Sequence, residues 1–262
     1  MKTDNKSLRI TFLGTGTSQG VPVIACNCIV CASQNSKDKR LRCSVLLEIG
    51  EKNYVIDTGP DFRQQMLRAN VQSLDAILYT HEHKDHVAGM DDVRAFNFKQ
   101  KKDMEIFCDA NVEDALKREF YYVFSENRYP GVPAVNINRI DKNAFEMDGN
   151  LIQPIEVLHY KMPVLGFRLG DFTYITDAKT VSEEERKKIR GTKILVVNAL
   201  RREEHISHFN LEQALEFIRD INPERAYLTH ISHLFGKHEE IERELPENVL
   251  VAYDGLELNI GG

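Results

Sequence analysis

Thr80-His81-Glu82-His83-Lys84-Asp85-His86 follows directly on the apolar run 76–79, Ala-Ile-Leu-Tyr. Four metal-donor side chains, His81, His83, Asp85 and His86, therefore fall within six residues at the exit of a segment with strand character. Such density has a chemical use, because two divalent ions roughly 3.5 to 4 Å apart can clamp the attacking and departing oxygens of one displacement. In a loop leaving a strand, His81 and His83 project together, whereas Asp85 and His86 fall on the following turn and can address a second ion. A solvated turn accounts for a single histidine pair; it does not account for this spacing behind a buried strand.

Outward from this stretch, short apolar runs with strand character recur at 8–13, 43–49, 54–56, 76–79, 105–107, 152–158, 166–169, 172–175, 194–197, 226–228 and 249–252. Helical patterns lie between them at 61–69, 90–98, 112–124, 182–190, 210–220 and 238–244. The order is mixed α and β, and so many short strands require two sheets or one very large one. Asn210 followed three residues later by Gln213 reads as a capping box opening the helix at 210–220. The Pro/Gly stretch 129–133 reads as a loop or flap, since strands resume on both sides of it. A chain of 262 residues with 42% hydrophobic and 28% charged residues can bury a sizeable core, and the expectation is one domain spanning 1–262.

The net charge of −6, from 40 acidic against 34 basic residues, argues against general electrostatic binding to nucleic acid or anionic lipid. No stretch approaches the roughly 20 consecutive apolar residues of a membrane-spanning helix, and the polar start 1–9 has no signal-peptide core. A cytoplasmic protein with no membrane partner is expected. Five cysteines is an odd count, and three of them, Cys26, Cys28 and Cys31, lie within six residues. That is too crowded for a disulfide framework, and metal binding is the better reading. Cys43 and Cys108 lie in apolar, strand-like surroundings and read as inert core residues.

The His-x-His-x-Asp-His run resembles the signature of the metallo-β-lactamase superfamily. The resemblance covers essentially the whole chain and implies an α/β (α+β) fold, a four-layer αββα sandwich with two mixed sheets face to face, helices outside and metals at one sheet edge. The remaining ligands are then expected at separated strand ends: His159 after 152–158, Asp177 after 172–176 and His230 after 226–228. Carried over onto these positions, the resemblance implies that His81, His83 and His159 hold one ion, that Asp85, His86 and His230 hold the other, and that Asp177 bridges both. Asp57 stands where the family keeps an acidic residue under the metal loop, which implies that it orients ligand histidines; read by itself, it is equally a turn aspartate before Gly59-Pro60.

Leu13-Gly-Thr-Gly-Thr-Ser-Gln-Gly-Val-Pro22, the Cys26-x-Cys28-x-x-Cys31 cluster, Asp57-Thr-Gly-Pro-Asp-Phe-Arg63 and the closing His230-x-x-His233 look like the phosphodiesterase branch of that superfamily. Its best-known member hydrolyses cyclic ribose phosphates in the carbon-phosphorus lyase pathway. A tetrahedral structural zinc on Cys26, Cys28 and Cys31 needs a fourth ligand. His233 is the choice, since it follows the metal-anchored His230 by about one turn, with His238 as the substitute. Gly14-Thr-Gly16 is neither a Walker loop nor a dinucleotide fingerprint and reads as a tight strand-exit turn.

A dinuclear site yields hydroxide at neutral pH, and a metal-bridging hydroxide can attack phosphorus or a carbonyl carbon. A phosphodiester also asks for a proton donor to its alkoxide leaving group, and His205 and His208 are candidates, or else two surface histidines before a helix. His208-Phe-Asn-Leu-Glu-Gln-Ala resembles the segment carrying the extra histidine in the phosphodiesterase and tRNA-processing branches, which implies His208 as that general acid, with His205 as the fallback. Asp85 and His208 are the residues assigned catalytic roles. Arg63 and Arg94 can fork onto phosphate oxygens or pair with Asp61, Asp91 and Asp92. The expected activity is a metal-dependent phosphodiesterase acting on small or cyclic nucleotide-like phosphodiesters. The alternatives are a tRNA 3′-end processing endonuclease, which needs a basic RNA-gripping arm, and a thioester or lactone hydrolase of the glyoxalase type, which usually adds a helical C-terminal domain beyond the point where this chain ends. Two divalent ions, zinc or manganese, with iron also suited to the donors, and one structural zinc are the expected cofactors. A homodimer is compatible with the branch, although no residue names an interface.

Overall fold

Residues 7–261 are described in the computed structural model, so the polar start 1–6 and residue 262 lie outside the described residues. The chain divides into two compact units, one formed by residues up to 13, 44–141 and from 255 on, the other by 14–43 and 142–254.

The first unit is a seven-stranded sheet of β1 (Leu8–Gly14), β2 (Ser44–Ile49), β3 (Lys52–Ile56), β4 (Ala76–Leu78), β5 (Met104–Cys108), β6 (Val135–Arg139) and β14 (Glu257–Ile260), in the order β14-β1-β2-β3-β4-β5-β6. The β14-β1 and β2-β3 pairs are antiparallel, and β3 through β6 run parallel. Parallel strands covered on both faces read as continuous apolar runs, which is why Val55-Ile56 and Ala76-Ile77-Leu78 are almost wholly buried and were visible in the sequence. β6 and β14 escaped it because both are edge strands of alternating polar residues, Val-Asn-Ile-Asn-Arg and Glu-Leu-Asn-Ile.

Helices α1 (Phe62–Arg68), α2 (Lys84–Val87), α3 (Arg94–Gln100), α4 (Ala110–Glu119) and α5 (Tyr121–Phe124) belong to this unit. Phe62, Met66, Phe96, Val112 and Leu116 join its core. The single helix expected at 112–124 is instead two. The backbone leaves helical geometry at Phe120 (φ −112°, ψ 41°), where a buried ring is followed at once by the exposed Tyr121. The stretch 129–133 is a loop between α5 and β6, as read.

The second unit holds β7 (Phe145–Met147), β8 (Asn150–His159), β9 (Met162–Leu169), β10 (Phe172–Tyr174), β11 (Ile194–Asn198), β12 (Arg225–Thr229) and β13 (Val249–Val251), ordered β13-β12-β11-β10-β9-β8-β7. β7 through β10 are antiparallel and β10 through β13 parallel. Helices α6 (Glu183–Ile189), α7 (Leu211–Ile221) and α8 (His238–Glu242) flank it. The expected capping box is present on α7: Asn210 Oδ1 accepts the Gln213 N–H at 3.0 Å and Gln213 Oε1 accepts the Asn210 N–H at 3.3 Å. Ala214, Phe217, Ile218 and Ile221 then seat the helix in the unit's core. Residues 14–43 are held onto this unit at Gly16, which bridges both Arg42 and Ile231. A Cβ there would lie 3.0 Å from the Arg40 and Leu41 carbonyl oxygens, so the close approach needs glycine.

Both sheets are mixed and both are flanked by helices, the composition of an αββα fold.

Candidate metal centre

In the first unit, parallel β3 and β4 end side by side and deliver Asp57 and the segment 79–86 from neighbouring strand ends. Asp57 is fully buried and accepts three hydrogen bonds, from Thr80 N (2.9 Å), Thr80 Oγ1 (2.8 Å) and His86 Nδ1 (2.7 Å). The bond from His86 fixes that ring's tautomer and makes Nε2 the basic nitrogen, 3.2 Å from Asp85 Oδ2. Burial pushes the Asp57 carboxyl above the ordinary carboxylate range, opposed by the His86 partner and the two Thr80 donors. The His81 ring centroid lies 4.2 Å from that of His86 and 4.7 Å from that of His83, so three imidazoles converge. The α2 helix, which the sequence suggested only as a turn, starts from His83 and carries Asp85 and His86 on its first turn. Its position is locked from below: Thr58 N donates to His86 O at 2.8 Å and Gly89 N to Thr58 O at 2.8 Å.

In the second unit, three further strand ends bring their residues together. His159 closes β8, and its Nδ1 donates to the Ser207 carbonyl at 2.9 Å. Asp177 follows β10; its Oδ1 lies 3.1 Å from His208 Nε2 and 3.2 Å from His230 Nε2, while Oδ2 accepts from Thr176 Oγ1 at 2.6 Å. His230 follows β12 and stacks on His208, with centroids 4.9 Å apart at 18°. His159, Asp177 and His208 offer donor atoms all within 4.8 Å of one another. Burial pushes the His208 imidazole down to about 4, against the pull of the Asp177 carboxylate. His205 Nδ1 lies 3.2 Å from His208 Nδ1, and burial lowers its pKa also. Each unit thus presents a His/Asp cluster of the donor chemistry that divalent metals take, buried at His81, His86, Asp177 and His230, part-buried at Asp85 and His159 and exposed at His83.

The cysteine cluster is the second feature of this unit. Cys26, Cys28 and Cys31 place their sulfurs 3.2, 3.5 and 3.5 Å from His233 Nδ1, and all four donor atoms lie within 4.8 Å of one another. Three thiols and one imidazole are the donor set of a tetrahedral zinc. The Cys31 N–H, aimed at the Cys28 sulfur, holds that thiol down to about 6, whereas burial pushes Cys31 up to about 11. His238 is elsewhere: its Nδ1 faces the buried Arg40 guanidinium at 3.3 Å and its Nε2 lies 3.3 Å from Glu242. Of the two arginines left open, Arg94 lies 3.4 Å from Asp91, and Arg63 lines a surface groove beside Met66 and Phe96.

Several supporting groups had no distinctive sequence signal. Thr80, Thr176 and Ser207 are hydroxyl neighbours of the donors, ordinary until their hydrogen bonds are seen. Asn198 was easier to find, as the lone polar residue ending the run Ile-Leu-Val-Val; its amide exchanges two bonds with the Ala178 peptide (2.7 and 3.0 Å), fixing the turn that carries Asp177. Among the described residues, no helix is long and apolar enough to cross a membrane.

A family model described as a beta-lactamase superfamily domain matches residues 52–231. A protein of Porphyromonas gingivalis named octanoyltransferase is 39% identical over 254 residues, 95% of this chain and 51% of that protein. The chain therefore spans about half the length of this curated relative. Among solved structures, a new diphosphatase from the PhnP family is 36% identical with a TM-score of 0.91, covering 97% of both chains. The zinc-bound PqqB of Methylobacterium extorquens shares the fold at 21% identity and a TM-score of 0.78, over 95% of this chain and 99% of that one.

Proposed function

The chain belongs to the metallo-β-lactamase superfamily and, within it, to the PhnP family, and on that premise we propose that it is a metal-dependent hydrolase of small phosphodiesters, cyclic or nucleotide-like. The observation that carries this reading is the likeness over nearly the full length of both chains to the PhnP-family diphosphatase, a protein named for cleaving a phosphorus linkage. In this reading residues 1–262 act as one hydrolase domain. His81, His83 and His159 hold one divalent ion, Asp85, His86 and His230 the other, and Asp177 serves both; zinc and manganese suit the donors. When bound, the ions acidify water and neutralise phosphate charge.

The side chains do the rest. Asp57 holds His86 in one tautomer by accepting from Nδ1 at 2.7 Å. His208 is buried with Nε2 3.1 Å from Asp177 Oδ1, and from this position it would serve as the general acid that delivers a proton to the departing alkoxide. Ser207 supports both His159, through its carbonyl, and His208, through its hydroxyl at 3.0 Å. Cys26, Cys28, Cys31 and His233 hold a separate structural zinc, an assignment supported by their mutual distances. Thiols at this spacing suit a reducing, cytoplasmic setting. A homodimer belongs to the same reading and is checked by sedimentation.

A second reading has one observation in its favour. The curated relative named octanoyltransferase, of which this chain spans about half, handles an octanoyl group by its name, and an octanoyl thioester is a compound that a hydrolase of this superfamily would cleave at the carbonyl carbon. The test is metal content per chain together with hydrolysis of bis(p-nitrophenyl) phosphate, a 2′,3′-cyclic nucleotide, a nucleotide diphosphate diester and an octanoyl thioester. Two ions in the His/Asp centre, one in the cysteine cluster and turnover of the phosphorus substrates are expected. Turnover of the thioester alone would replace the first reading with the second.

A further inference from the structure

Cys28 and Cys31 form a Cys-x-x-Cys pair whose two sulfurs differ in setting. Cys28 is half-buried, and its sulfur accepts the Cys31 backbone N–H at 3.4 Å; Cys31 is buried, and its sulfur accepts the Val23 N–H at 3.3 Å. Both sulfurs belong to the group of donor atoms that lie within 4.8 Å of one another. In such a pair the sulfur within reach of solvent meets an oxidant first, and the buried neighbour is placed to resolve it.

The same cluster is tied to the hydrolytic centre through the chain itself. His233 shares a four-residue segment with His230, and the two residues between them are clamped on both sides. Ile231 N donates to Thr15 O (2.9 Å), and Thr17 N donates to Ile231 O (3.1 Å). Ser232 donates twice to Leu200 O, from N at 3.0 Å and from Oγ at 2.8 Å. Leu200 N in turn donates to Phe209 O (3.0 Å) and Phe209 N to Ala178 O (2.8 Å). A ladder of backbone bonds thus runs from the cysteine cluster to the neighbours of His208 and Asp177.

We propose that Cys28 and Cys31 are a peroxide-sensitive modification site that closes to a disulfide, expels the cluster's zinc and loosens His230. The proposal rests on reading the cluster as a zinc site. The Cys28 thiolate attacks the O–O bond of hydrogen peroxide, forming an S–O bond and releasing hydroxide. The Cys31 thiolate, let go by the zinc, then attacks the sulfenic sulfur; the S–S bond forms, the S–O bond breaks, and the departing hydroxide takes a proton from solvent. Two electrons pass from the thiols to the peroxide. Cys26 and His233 remain, too few to hold a tetrahedral zinc.

The experiment uses the full chain loaded with zinc. Metal analysis first establishes whether the cluster holds zinc at all; an empty cluster at that step overturns the zinc reading, and the switch with it, before any peroxide is added. Hydrogen peroxide is then titrated in the presence of a chromogenic zinc chelator. Expected are one zinc released per two thiols lost, a fall in free thiols from five to three, and a peptide two mass units lighter carrying a Cys28–Cys31 link. Hydrolysis should fall in step with zinc release and return with dithiothreitol and added zinc. A zinc-loaded cluster that keeps its metal, or loses it without a Cys28–Cys31 link, overturns the switch and leaves the zinc reading intact. Cys31→Ser, where it folds, should hold zinc more weakly before any peroxide is added and, on oxidation, should form no link between positions 28 and 31, leaving Cys28 open to higher oxidation that dithiothreitol does not reverse.

Discussion

Asp57, Asp177 and His230 each stand one to three residues past a strand end with the backbone turned left-handed, at φ 63°, 56° and 57°. A non-glycine residue there costs on the order of 1–3 kcal/mol, and such strain gathers at functional sites. The strand ends could be read in the sequence, and with them the candidate donors; the backbone turn that aims each donor could not, since neither Asp nor His announces it. Two substitutions probe these residues. Asp57→Asn removes the charge behind the 2.7 Å bond to His86 and should weaken metal binding roughly 10- to 100-fold with the fold retained, as read by competition with a chelating dye. Unchanged affinity would leave Asp57 as a turn residue only. His208→Ala should keep both ions and slow a substrate with an alkoxide leaving group by roughly 10²- to 10⁴-fold, while slowing a p-nitrophenyl ester much less. Loss of an ion would instead make His208 a ligand, an outcome its place beside His159 and Asp177 makes worth measuring.

At the scale of elements, periodicity located the parallel strands because burial on both faces leaves an unbroken apolar run, as in Leu195-Val196-Val197. It failed at β6 and β14, where an edge position tolerates polar residues, and at Phe120, where seating one ring outweighs helical continuity. Nor did it find what locks the metal loop to α1. Gly89 packs against the turn before α1 so closely that a Cβ would meet the Gly59 carbonyl oxygen at 2.2 Å and Phe62 Cβ at 2.7 Å. Both contacts are to positions that cannot swing away. Gly89→Ala should therefore push α2 outward, break the Thr58–His86 and Gly89–Thr58 backbone bonds, and destabilise the protein by about 1–3 kcal/mol with partial loss of metal. Urea unfolding with metal analysis on the same sample checks both parts; a variant of wild-type stability and full metal content would mean the loop adapts freely.

Over the whole molecule, each unit closes its own apolar core, and the donor-bearing strand ends are distributed over both units. Acid should dismantle the protein in two stages. Imidazole and thiol donors must lose their protons to hold metal, so affinity falls as pH drops through about 6.5, the ordinary histidine value. Carboxylates in ion pairs respond later. Lys117 and Arg139 hold Glu113 below the usual carboxylate range, and Arg186 and Arg190 do the same for Asp220. A carboxyl whose folded value is depressed adds stability that is fully present above its unfolded value near 4 and is lost as pH falls through the folded value. Melting temperatures from pH 8 to 3, with and without a chelator, separate the two stages. The gap between metal-loaded and chelator-treated protein should close between about pH 7 and 5, whereas the chelator-treated protein should begin to weaken only below about pH 4. A gap that stays open at pH 4 would mean that bound metal holds its imidazoles deprotonated far below their ordinary value, and would overturn the expected order of the two stages.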